Sequence, residues 1–175
     1  MNMMRKNDAD GRIILRSGII FDLMRPERSR FEISDIAHSL SNQCRFGGHT
    51  PFFYSVAQHS VLVSDLLPPE LRLAGLLHDA AEAYIGDLTA PLKHLLPEYL
   101  AIEQSIERAL FSAFSIDYPL HPDVKQADRQ VLAAELRDFF KDTNHAASQL
   151  ARIDPLDSLL AEALFIDRFC DLTRA

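Results

Sequence analysis

The 175-residue chain contains no tryptophan, two cysteines and six glycines. Cys44 and Cys170 stand far apart without a CxxC spacing, which excludes a zinc ribbon and a disulfide framework and makes a reducing cytosol the expected location. No run of about 18 apolar residues occurs, so a membrane-spanning helix is excluded. The opening stretch, MNMMRKNDADGR, lacks the apolar segment of a secretory leader, and none is expected. Lys and Arg number 18 against 25 Asp and Glu, a formal charge of −7. Duplex nucleic acid is therefore excluded as a partner, since phosphate binding needs clustered cations. Internal repeats and low-complexity tracts are absent too.

What remains is ordinary globular composition, 47% hydrophobic and 25% charged, far from the signature of disorder. The length suits a single domain, residues 1–175. Residues 12–23, RIILRSGIIFDL, read as two short β-prone runs around Ser17-Gly18, a small hairpin. After the Pro26 turn, Ser34 is placed to cap a helix running to about Cys44, with Ile33, Ile36, Ala37 and Leu40 as its apolar face. RFGGHTPF then interrupts as a loop. Ser55 and Gln58 form a capping box that opens a helix from Val56 to about Leu67. Pro68 and Pro69 end it and begin another, which is expected to reach about Tyr84. GDLTAPLKHL reads as a loop and a short helical turn. Pro97 opens a helix to about Phe114, Pro122 one to about Phe140, and Pro155 a last one to about Leu172. The expected fold is an all-α bundle of about six helices with a minor N-terminal β-hairpin.

Some polar residues interrupt apolar stripes. His59 has Val56 before it and Leu62 and Val63 after it at helical spacing. Alone, such a histidine is more often a satisfied core imidazole than a ligand. His78 and Asp79 repeat the pattern behind Leu71, Ala74 and Gly75, with Glu82 one turn beyond His78. An unpaired buried carboxylate costs several kcal/mol, so Asp79 needs a cation, donors or water, or else it turns to solvent. Asp128 lies between Val124 and Val131-Leu132 in the same manner. Two imidazoles and two carboxylates suit a divalent transition ion with open coordination positions. On a helix His78 and Asp79 point about 100° apart, which places an ion in the angle between them.

Embedded in CRFGGHT, YSVAQHS, LLHDAAEAYIGDLTAPLK and ADRQVL, this pattern resembles the HD-domain metal-dependent phosphohydrolases. Within that group it is most similar to the branch of bacterial 5′-deoxynucleotidases and phage deoxyadenosine triphosphate triphosphohydrolases, over about residues 30–140. The resemblance implies an HD-domain helical bundle in which His59, His78, Asp79 and Asp128 hold a divalent ion such as Co²⁺, Mn²⁺, Zn²⁺ or Mg²⁺. It implies Glu82 as general acid or base and Asp87 as the residue that positions water or sugar. Arg45 and Lys93 would bind phosphate, and Phe46 would replace a tryptophan that packs on the sugar in that branch. The HDxxEA pattern departs from the HDxxED of guanosine tetraphosphate hydrolases, and the GYP motif of the cyclic-dinucleotide branch is absent.

The activity so implied is hydrolysis of 2′-deoxynucleotides. Triphosphohydrolysis is the leading expectation because His49 and His94 could accommodate a longer phosphate chain; a 5′-deoxynucleotidase acting on monophosphates and a catalytically idle nucleotide-binding module are the alternatives. PLDSLLAEALFIDRFCDL is apolar on more than one face, which suits a central helix or the interface of a homo-oligomer, a dimer or larger ring as is common in the family.

Overall fold

The structure, a computed structural model, describes residues 11–140 and 149–174. The polar stretch 1–10, where no leader was expected, lies outside them. Strand β1 (Arg12–Ile14) pairs antiparallel with β2 (Ile20–Asp22), placing Ile13 opposite Phe21. Gly18, at φ +86°, lets the connection turn. Eight α-helices follow among the described residues: α1 (Ile33–Asn42), α2 (Val56–Asp65), α3 (Arg72–Leu76), α4 (Glu82–Ile85), α5 (Ala90–Lys93), α6 (Pro97–Ala113), α7 (Pro122–Phe140) and α8 (Ser158–Thr173). The architecture is all-α with a minor hairpin, as the periodicities imply. None of these helices is long and apolar enough to cross a membrane.

Eight helices stand where about six were expected, chiefly because the stretch from Pro69 to Tyr84 is not one helix. Helix α3 stops at Leu76, and beyond it Ala80 N donates to Leu77 O and Glu82 N to Asp79 O, each at 3.0 Å. These bonds span three residues rather than four. Such winding makes side chains three apart eclipse, so Asp79 aligns with Glu82, whereas a helix would have aligned His78 with it. The His78-Asp79 pair therefore occupies a tight turn.

Capping also differs from expectation in instructive ways. Glu32, not Ser34, is the N-cap of α1, and Ser34 falls inside the helix. Ser55 Oγ does accept from Gln58 N at 3.2 Å, but the Gln58 amide turns elsewhere. It donates to Asp154 O at 2.8 Å and accepts from Leu156 N at 2.9 Å. Residues 154–156 are thereby held outside the helix, and α8 begins at Ser158 instead of Pro155, capped by Asp157 accepting from Leu160 N at 2.9 Å.

Helix α2 is the centre of the bundle, packed by α1, α3, α7 and α8. It is buried almost all round, Ser60 and Ser64 included. Gly75 permits the close approach of α3: a Cβ there would stand 3.2 Å from Ser64 Cα and run into Leu67. At the hairpin end, Phe21 stacks on Tyr84 with ring centroids 4.0 Å apart, and Phe31 meets both edge-on. Burying each such side chain contributes about 1.5–3 kcal/mol. Asp35 locks the hairpin onto α1 by accepting from Ser17 N at 2.9 Å and Ser17 Oγ at 2.6 Å. On α8, Ala161 and Phe165 face the core while Leu159, Leu160 and Leu164 are exposed.

Candidate metal centre

Three elements converge on one point: His59 from the middle of α2, His78 and Asp79 from the turn after α3, and Asp128 from α7. His59 Nε2 lies 3.2 Å from Asp128 Oδ1 and 3.7 Å from Asp79 Oδ2. His78 Nε2 lies 3.3 Å from Asp79 Oδ2 and 4.0 Å from Asp128 Oδ1. Ligands held about 2.0–2.2 Å from a shared ion are spaced in this range. The close packing permitted by Gly75 accounts for the meeting of the two imidazoles, whose ring centroids are 5.3 Å apart.

Each imidazole is tied from behind. His59 Nδ1 is 2.7 Å from Glu135 Oε1, and His78 Nδ1 is 2.8 Å from Gly75 O. These acceptors favour the proton on Nδ1 and turn the Nε2 lone pair toward the shared point. Both Nε2 atoms are buried and without a hydrogen-bond partner among the described residues, the nearby carboxylates lying outside hydrogen-bond geometry. An orphaned buried polar atom costs about 1–3 kcal/mol. Two of them directed at one spot beside carboxylates fit a bound cation. His59, His78 and Asp128, with ligand atoms all within 4.8 Å of one another, form a group that can hold a metal ion.

The charges around this point suit a cation. Burial opposes a charge on His78, but Asp79 and Asp128 outweigh it and push its pKa up to about 9. Burial likewise opposes ionised Asp79, yet His78 above all, then His59 and Arg45, hold its carboxyl well below the usual range. The carboxylates thus draw positive charge to this point, as a second proton on His78 or as an ion in that proton's place.

Arg45 reaches Asp79 Oδ2 through Nη1 at 3.5 Å and Glu135 through Nε and Nη2, each at 3.2 Å. Tyr54 Oη donates to Glu135 Oε1 at 2.9 Å. Glu135 is fully buried, and although burial opposes its charge, His59 and Arg45 hold it ionised down to about pH 2.

A cavity of about 570 Å³ opens beside the centre, with His78, Asp79, Glu82, Lys93 and Asp128 in its lining and Glu103, Glu107 and Tyr118 in the lining contributed by α6 and the segment after it. Lys93 donates to Glu82 Oε1 at 2.8 Å and to Glu103 Oε1 at 2.7 Å. Glu82 is buried, and its Oε2 has no partner among the described residues. Burial, then the charges of Asp79 and Asp87, raise its pKa well above the usual carboxylate value against the pull of Lys93. Burial and the charge of Glu103 push Glu107 up to about 7.

The cavity lining does not include Arg45, Phe46 or Asp87. Phe46, in the left-handed region at φ 56°, packs edge-on against Phe140 with centroids 5.0 Å apart. Asp87 is anchored through its backbone N donating to Gln43 Oε1 at 2.9 Å, and burial raises its carboxyl. His49 and His94 are exposed and do not line the cavity. The sequence reading passed over Glu135, Tyr54, Glu103, Glu107 and Tyr118. Glu135 could have been found: it stands seven residues after Asp128, two turns along the same face of one helix. Glu103 and Glu107 share a face of α6 by the same rule.

Fold and site together define an all-α protein with a His-His-Asp group able to hold a metal ion beside a cavity of about 570 Å³. The chain is 42% identical over 149 residues to the Escherichia coli K12 protein YfdR, named as uncharacterized, in a match covering 81% of this chain and 84% of YfdR. It belongs to the family of YfdR. It is also 36% identical over 121 residues to an uncharacterized protein of Rhodobacter capsulatus, across 63% of this chain and 62% of that protein. No family model matches the sequence.

Proposed function

We propose that the chain is a metal-dependent phosphohydrolase of 2′-deoxynucleotides of the HD-domain type. The observation that carries this reading is the pair of buried Nε2 atoms of His59 and His78, unpartnered among the described residues and directed at Asp79 and Asp128, which line the cavity. His59, His78 and Asp128 would hold the ion, with Asp79 alongside. When bound, a divalent ion supplies Lewis acidity toward a phosphoryl oxygen and lowers the pKa of its water.

The remaining chemistry falls to the chain's own side chains. Burial beside other acids raises the Glu82 carboxyl, and its Oε2, without a partner among the described residues, suits it to serve as proton donor to a departing 5′-oxygen. Lys93, fixed by Glu82 and Glu103, offers a cation to a phosphate in the cavity. Binding without turnover would not call for this proton donor. An idle module is therefore the weaker reading.

The cavity favours a short phosphate chain over the triphosphate expected from sequence. Asp79, Glu82, Glu103, Glu107 and Asp128 line it against Lys93 and Lys125, and the two histidines invoked for a longer chain are elsewhere. A monophosphate meets less repulsion there than a triphosphate does. Incubating the protein with each deoxynucleoside mono- and triphosphate and Mg²⁺, Mn²⁺, Co²⁺ or Zn²⁺ tests both points. Orthophosphate from monophosphates is the expected product; inorganic triphosphate would restore the longer substrate, and no turnover with any pair would refute the enzyme. Exposed Leu159, Leu160 and Leu164 support a homo-oligomer, which light scattering would check.

A further inference from the structure

We infer that Glu135 is the positioning residue of the metal centre, preorganising His59 directly and Asp79 through Arg45; the inference rests on the metal-site reading above. Its two oxygens serve three groups. Oε1 faces His59 Nδ1 at 2.7 Å and accepts from Tyr54 Oη at 2.9 Å, while Oε2 accepts from Arg45 Nη2 at 3.2 Å. The far edge of the same guanidinium reaches Asp79 Oδ2 through Nη1 at 3.5 Å. A single buried carboxylate thus stands behind ligand-type side chains from two different elements, α2 and the turn after α3.

The arrangement has a physical logic. A carboxylate on Nδ1 fixes the imidazole's tautomer and rotation and raises its basicity toward a cation at Nε2. Arg45 carries a planar fork whose donors point in set directions, so pairing one edge with Glu135 determines where the other edge holds Asp79. Arg45 contacts Asp79 and Glu135 at once, which suits it to brace Asp79. The Arg45 charge and that of fully buried Glu135 also satisfy one another, so neither is left unpaired in the bundle.

The test uses the full chain and Co²⁺ alone as probe, followed by its visible absorption, so no substrate or turnover enters. Glu135→Gln preserves volume and an acceptor for His59 but removes the charge that holds Arg45. It is expected to unfold cooperatively and to weaken Co²⁺ binding about 10–100-fold, with a changed absorption band. A purely structural role would shift the melting temperature and leave the Co²⁺ affinity of the folded protein intact. That outcome, affinity within about twofold of wild type, overturns the inference. If Glu135→Gln does not fold, Glu135→Asp decides by the same titration, since it keeps the charge but draws it away from His59. Wild type and His78→Ala are titrated alongside. Failure of wild type to bind Co²⁺ would remove the metal reading and the inference together, whereas wild-type binding lost in His78→Ala and kept in Glu135→Gln would remove the inference alone.

Discussion

Two regions of the bundle enclose carboxylates and treat them in opposite ways. At the hairpin, Asp35 is satisfied by two neutral donors of Ser17, within one small piece of structure. At the metal centre, Asp79, Asp128, Glu82 and Glu135 are gathered around two imidazoles whose Nε2 atoms, like Glu82 Oε2, have no partner among the described residues. Burial by itself does not distinguish structure from function. The distinction lies in whether the polar atoms are closed off by their neighbours or left directed at a common point.

The comparison breaks most visibly at the metal centre. His78→Ala or Asp128→Ala is expected to weaken Co²⁺ binding more than about 100-fold, beyond the loss typical of a residue behind the ligands, while the protein still unfolds cooperatively. Asp79→Ala should abolish deoxynucleotide hydrolysis with the circular dichroism spectrum retained, and full turnover in that variant would refute its place at the site. Asp35→Ala inverts the pattern. It should cost about 1.5–3 kcal/mol in urea unfolding, as expected for hydrogen bonds to a charged group, with Co²⁺ affinity unchanged.

Gly75→Ala joins the two effects. Overpacking α3 against Ser64 and Leu67 should cost about 1–3 kcal/mol and also weaken Co²⁺ binding, because it moves the turn that carries His78. Wild-type affinity in a destabilised Gly75→Ala protein would show that His78 is placed independently of this contact.

The smallest effect concerns Glu107. Its folded pKa of about 7 lies above its ordinary value of 4.5, so the folded state binds its proton more tightly. The resulting stability is fully present below pH 4.5 and is lost as pH rises through 7. Glu107→Gln should therefore gain relative to wild type between pH 5 and 8 in urea midpoints. A difference independent of pH would place Glu107 in ordinary solvent.

The helical class and most boundaries were legible because 3.6-residue periodicity and proline positions are local properties. Pro97 and Pro122 open their helices where expected, and Ser55 caps α2. His59, His78 and Asp128 were legible as polar breaks in apolar stripes, and the structure brings them together. The interrupted helix after Leu76 was not legible, since apolar spacing does not distinguish three-residue from four-residue winding over so short a stretch. Gln58 misled for a related reason: its amide found backbone partners almost a hundred residues away, at Asp154 and Leu156, in place of its own helix end.

From sequence alone came the all-α class, the hairpin and the ligand-type residues, because patterning and side-chain chemistry travel with the chain. The tertiary structure decided that Arg45 meets both Asp79 and Glu135, that Phe46 packs on Phe140 outside the cavity lining, and that Glu103 and Glu107 join that lining. Those outcomes depend on which elements meet, and a charged side chain takes the nearest buried partner of opposite sign, whose distance along the chain can be anything.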